Sequence, residues 1–168
     1  MSRQSTTITQ IDRSGPAAST GPAADYDGDL VRWAEANAAL LRQGRLTEID
    51  AEHLAEELED MGKSERRALA SQLRVLIAHL LKWQYQPERR GNSWRFSVLN
   101  ARAAIAEIIE DSPSLGPKAE ALMLKGWPLA RAQAVAETGL PDKRFPPECP
   151  YRVDQVLDDA FWPESDGG

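Results

Sequence analysis

The sequence predicts an all-α fold: one irregular helical bundle of about five helices closed by a proline-rich C-terminal strap. Three observations carry that expectation. Apolar residues recur at steps of three and four, most plainly Leu69, Leu73, Leu76, Leu80 and Trp83. Capping and stop residues punctuate those stretches at helix-sized intervals. No segment shows a period-two run bounded by turns, so no sheet is expected.

The elements follow in order. Residues 1–24 hold Ser, Thr, Gly, Pro and Ala with Arg3 and Arg13, too little apolar surface to order themselves, and are expected to be a disordered tail. The helical domain is expected over residues 25–163, with a short tail over 164–168. Asp27 or Asp29 caps a first helix from about Gly28 to Gln43, carrying Leu30, Trp33, Ala34, Ala38 and Leu41 and stopped at Gly44. Thr47 caps a second over Ile49 to Met61, with Asp50 in a weak capping box and Leu54 and Leu58 on one face. Gly62 is expected to break or bend it, and Ser64 to cap the third and central helix, which Pro87 ends. Asn92 or Ser93 caps the fourth, whose apolar stripe reads as Phe96, Leu99, Ala103, Ala106 and Ile109. It stops before Pro113. Ser114 or Leu115 opens the fifth, with Ala119, Leu122, Met123, Ala130 and Ala134 inward, a kink at Pro128 and a stop at Gly139. From Leu140 to Pro163 the chain should wrap the bundle, anchored by Phe145, Tyr151, Phe161 and Trp162, with one short helix near Asp154 to Asp158.

Whole-chain properties narrow the function classes. A net charge of -6 disfavours general binding to nucleic acid or anionic membrane, because both reward positive surface. Cys149 is the one cysteine, so no internal disulfide forms, which fits a cytoplasmic setting. Between Pro147 and Pro150 it reads as a small packed side chain. No apolar run reaches the roughly 18 residues of a membrane span.

Several uncommon words follow one another in order along the chain. They are Leu54-Ala-Glu-Glu-Leu-Glu-Asp-Met-Gly62 with Ser64-Glu-Arg-Arg-Ala-Leu69, then His79-Leu-Leu-Lys-Trp-Gln84 with Gln86-Pro87 and Ser93-Trp94-Arg95. The ending is Glu137-Thr-Gly-Leu-Pro141, Phe145-Pro146, Cys149-Pro150-Tyr151, Gln155-Val-Leu-Asp158 and Phe161-Trp162-Pro163. From Tyr26 to Pro163 the chain resembles the bacterial family known as domain of unknown function 29. The resemblance implies an α-helical fold and supplies no activity or catalytic residues. Trp127-Pro128 departs from an uninterrupted fifth helix.

Two constellations could carry chemistry. On the acidic second helix, His53 and Glu57 are four apart and share a face. With His79, with or without Asp60, they could hold a metal, although paired Glu-x-x-His words are missing. The bland reading is a solvated face, with Glu59 paired to Lys63. Glu57, Asp60, His79 and Lys82 are the acid–base candidates, since His79 and Lys82 lie one helical turn apart. The second constellation runs from Arg74 through Lys82, Trp83, Tyr85 and Arg89 to Arg102, with Arg90, Trp94, Arg95 and Arg102 as binding candidates for phosphates, bases or carboxylates. Here the bland reading puts Trp83 in the core, has Trp94 and Phe96 pin a turn, and pairs a buried Arg102 with Glu57 or Asp60.

No phosphate-cradling loop, dinucleotide fingerprint or zinc-ligand spacing occurs, and no cofactor is assigned. The expected functional region is a polar seam where the acidic second helix meets the Arg-rich third and fourth. The leading reading is a cytoplasmic interaction or accessory module with a protein partner. The alternative is a small enzyme acting on a phosphate- or carboxylate-bearing substrate, and the third is nucleic-acid binding.

Overall fold

The computed structural model describes residues 26–165. These form five α-helices and no strand: α1 (Leu30–Arg42), α2 (Ala51–Tyr85), α3 (Asn92–Asp111), α4 (Ala119–Thr138) and α5 (Val153–Leu157). Short 3₁₀ turns at Pro87–Arg89, Pro113–Lys118 and Asp142–Arg144 join them. The all-α expectation is met; the tail expected over residues 1–24 lies outside the described residues. The described residues divide into two compact units, one ending at Leu58 and the other starting at Glu59.

In the first unit, α1 begins where the sequence says it should. The Asp29 carboxylate accepts from the Arg32 backbone N–H (3.0 Å), and Gly44 takes the left-handed φ of 71° that only glycine adopts without strain. Trp33 and Asn37 are the buried residues of α1. The chain re-enters helix at Asp50, whose carbonyl accepts from Leu54 N (3.0 Å) and whose carboxylate caps the His53 N–H. Asp50, not Thr47, thus starts α2.

The expected second and third helices are one. α2 runs for 35 residues, through Gly62 and Ser64. A glycine inside a helix costs about 1 kcal/mol, less than stopping and nucleating again among Glu, Met, Lys, Arg and Ala neighbours that all favour helix. Leu58, assigned to an apolar face, is exposed.

The second unit holds the main core. Leu69, Leu73, Leu76, Ile77, Leu80 and Leu81 of α2 pack with Val98, Ala101 and Ile105 of α3 and with Met123, Trp127, Ala130 and Ala134 of α4. Each large aliphatic side chain so buried stabilises by about 1.5–3 kcal/mol. On α3 only Ile109 of the expected stripe packs on the core: Phe96 is 70% exposed, Leu99, Ala103 and Ala106 face solvent, and the buried face is Val98, Ala101, Arg102 and Ile105. Apolar residues lie on both sides of this helix, so their spacing does not single out one face.

α4 starts at Ala119, one 3₁₀ turn after the expected opening, and continues through Pro128 to Thr138. Gly139, at φ 70°, ends it. The strap from Leu140 then lies on the core through buried Phe145 and Tyr151 and half-buried Phe161 and Trp162, as expected. Its short helix is α5. Trp127 Nε1 donates to Pro147 O (3.0 Å), and Arg131 makes a two-pronged pair with the Asp142 carboxylate (2.8 and 2.7 Å).

Candidate functional site

The first unit gathers a polar–aromatic network around Asp50. Its carboxylate, nearly buried, accepts from Trp33 Nε1 (3.0 Å) and from His53 Nδ1 (2.7 Å). The Asp50 backbone N–H donates to Asn37 Oδ1 (2.8 Å), and Asn37 Nδ2 donates to Trp33 O (3.0 Å). Tyr26 stacks on the His53 ring at 4.1 Å, and its hydroxyl donates to Glu57 Oε1 (2.7 Å). His53 and Glu57 are therefore both engaged within this unit, by Asp50 and Tyr26.

This network makes a pH-dependent contribution. The hydrogen bond to Asp50 raises the His53 pKa above its ordinary 6.5; burial opposes, and the Asp50, Glu56 and Glu52 charges add to the rise. Burial of Asp50 disfavours its charge, but the bonds from Trp33 and His53 outweigh that and hold its carboxyl below the ordinary 3.8. A raised histidine contributes fully below 6.5 and loses its contribution as pH rises through its folded pKa; a depressed carboxyl contributes above 3.8 and loses it as pH falls. The first unit is therefore expected to be most stable between those limits and to weaken as pH rises above 6.5 through the raised His53 pKa. NMR titration of the His53 ring tests this: the midpoint should lie above 6.5 and fall in Asp50→Asn. A wild-type midpoint at or below 6.5 would refute the linkage.

In the second unit, His79 and Lys82 lie one turn apart on α2, and Glu137 of α4 bonds Lys82. Lys82 Nζ, on a side chain only 8% exposed, donates to Glu137 Oε2 at 2.6 Å and sits 4.8 Å over the Trp94 ring. Glu137 Oε1 accepts from Gln133 Nε2 (2.8 Å). Burial opposes the Glu137 charge, but these bonds and the Lys82 and His79 charges hold its carboxyl below the usual range. The His79 Nδ1–H donates to Val75 O (2.9 Å), since a carbonyl only accepts. Burial pushes the His79 pKa down; the Val75 bond and Glu137 oppose, and Lys82 adds to the fall. Asp60 is spent on Lys63 (2.8 Å), which also meets Glu59 at 3.5 Å, as expected for that pair. Among the described residues no group of three His, Cys, Asp or Glu side chains is placed to hold a metal ion.

The arginine constellation separates into different roles. Arg102, 4% exposed, does not meet a carboxylate. Its guanidinium donates to three strap carbonyls, Val156 O (2.8 Å), Asp159 O (3.3 Å) and Phe161 O (2.6 Å), and lies over the Trp162 ring. A strap that passes with its carbonyls inward does the work that a carboxylate was expected to do. Arg90 donates to Trp83 O (2.8 Å) and to Ser165 Oγ (2.9 Å) while lying over the Trp83 ring, which itself packs on Trp162. Trp94 is half-buried beneath Lys82, and Arg95 is exposed. Cys149 is half-buried against the core, and burial pushes its thiol pKa up, away from the reactive thiolate.

A further feature escaped sequence reasoning. Between α2 and α4 lies an open groove of about 500 Å³ lined by five cations, Lys63, Arg66, Arg67 and Arg74 from α2 and Lys125 from α4, and by no carboxylate. Its apolar part is Ala70, Leu122, Gly126 and Leu129, with Leu129 62% exposed. The buried Nε of Arg74 has no hydrogen-bond partner among the described residues. The readable signal was the spacing 63, 67, 70 and 74, which places one helical face of Lys, Arg, Ala and Arg in line. A second groove, lined by Ile105, Ala106, Ile109 and Leu157 with Arg102 and Glu110, has no such charge excess.

A family model described as domain of unknown function DUF29 matches residues 26–162. No curated protein matches the chain, and no solved structure does.

Proposed function

The chain belongs to the family of domain of unknown function DUF29, and on that premise we propose that it is an interaction module that docks an acidic segment of a protein partner in the α2–α4 groove. One observation carries the reading: Arg66, Arg67, Arg74 and Lys125 converge in a groove with no lining carboxylate, beside a Lys63 already paired with Asp60 and Glu59, in a chain whose net charge is -6. Like charges gathered on one wall repel each other, and an anionic partner relieves that repulsion while steering its own approach. The aliphatic floor supplies the burial that a purely ionic contact lacks. No aromatic side chain lines the groove, so it offers no platform for stacking bases, which favours a peptide over single-stranded nucleic acid. A cytoplasmic setting belongs to the same reading and rests on the single unpaired cysteine. Among the described residues no helix is long and apolar enough to cross a membrane.

The catalytic reading has less support. Lys82 is neutralised by Glu137, and His79 has its Nδ1 committed to Val75.

Titrating the full chain with a fluorescent glutamate-rich peptide tests the proposal. Affinity should fall as salt rises, and Arg67→Glu with Lys125→Glu should weaken binding at least about tenfold, or 1.4 kcal/mol. Arg89→Glu, an exposed charge outside the groove, should bind like wild type. Equal binding by the groove double variant would sink the reading, and a preference for an oligonucleotide over the peptide would replace it.

A further inference from the structure

Resting on the acidic-partner reading, we infer that the partner presents a helix and seats a leucine-like side chain in the notch above Gly126. Gly126 lies inside α4, where glycine is among the poorest helix formers. Nothing within the described fold asks for it. Its φ is not left-handed, and a Cβ built there would meet no atom within 4 Å. The side chain that is missing opens the groove instead.

The two walls repeat one design. On α4, Leu122, Gly126 and Leu129 fall at steps of four and three and share a face, with Lys125 beside them. On α2, Lys63, Arg67, Ala70 and Arg74 do the same. Each wall is smallest at its middle, at Gly126 or Ala70. Ala70, Leu122 and Gly126 are half-buried among exposed Lys63, Arg66, Arg67 and Lys125, with Leu129 exposed and Arg74 half-buried, so the trough offers an apolar strip flanked by positive charge. Its complement is an amphipathic helix with an aliphatic residue at every fourth position and glutamates on both flanks, the pattern by which helices seat in grooves. A volume of about 500 Å³ takes a few side chains of such a helix.

The experiment uses the full chain and two synthetic peptides. One carries leucine at every fourth position in a glutamate background; the other has serine in those places. Wild type should bind the leucine peptide at least tenfold more tightly, and the peptide's circular dichroism should become more helical on binding. Gly126→Leu, which fills the notch, should erase that tenfold preference by weakening the leucine peptide. Leu129→Ser, at an exposed position where folding is not at stake, should reduce the preference in the same direction. Equal binding of the two peptides by wild type, or a preference that survives both variants, overturns the inference. In that event Arg67→Glu with Lys125→Glu still separates the two ideas. If the charge reversal abolishes binding, the acidic-partner reading stands without the notch; if it does not, both fall.

Discussion

Replacing Arg102 with leucine is expected to lower the unfolding free energy by about 3–4 kcal/mol, the largest loss for any single polar side chain in the second unit. The chemistry is additive in direction. Three carbonyls, those of Val156, Asp159 and Phe161, accept from this one guanidinium, and each bond to a charged donor carries roughly twice the weight of a neutral one. Leucine restores volume but leaves the carbonyl of buried Val156 without a donor. Lysine keeps the charge and loses the fork, so Arg102→Lys should recover less than half of the loss. Urea unfolding followed by circular dichroism gives the number. A loss under about 1 kcal/mol for the leucine variant would mean that water replaces the guanidinium and that the strap does not depend on it.

The second large effect is an asymmetry across the Lys82–Glu137 pair. Glu137→Ala should cost about 2–3 kcal/mol, because it strands an ammonium that is almost wholly out of water. The Trp94 ring 4.8 Å away offsets only about 0.5–1 kcal/mol of that. Lys82→Met should cost about 1 kcal/mol or less, because methionine fills the same space and the Glu137 carboxylate, 38% exposed, rehydrates. A histidine reports on the same event: with Glu137 gone, a charge that raises the His79 pKa is lost and its ring should titrate lower still. Equal losses for the two variants would show the pair to be exchanging with solvent rather than buried.

What could be read from sequence was local. The Asp29 cap, the Gly44 and Gly139 stops and the leucine seam of α2 involve residues within a turn or two of each other, and all appear where expected. The break at Gly62 was misread because a weak local preference was set against the cooperativity of two strong flanks. The α3 face was misread because its apolar residues lie on both sides and the buried one includes an arginine. Of the site candidates, His79 and Lys82 were near enough in sequence to be linked, but Glu137, fifty-five positions from Lys82, was not. Arg102's partners were beyond reach for another reason: backbone carbonyls have no letter in a sequence. The cationic face of α2 was present in plain view, yet only the arrival of Lys125 and Gly126 from α4 turns it into a groove.

The strap has a consequence for time rather than for shape. Its bonds join residues far apart along the chain: 54 positions for Arg102 to Val156, 59 for Arg102 to Phe161, 67 for Tyr151 to Gln84. Loops of that size close after the helical hairpins they rest on, so these bonds belong to the last steps of folding. Interactions made after the folding barrier hardly change how fast a chain folds; they set how long it stays folded. The Arg102 variant should therefore fold at nearly the wild-type rate and unfold much faster. Stopped-flow unfolding of that variant checks whether the strap acts as a clasp on the lifetime of the native state.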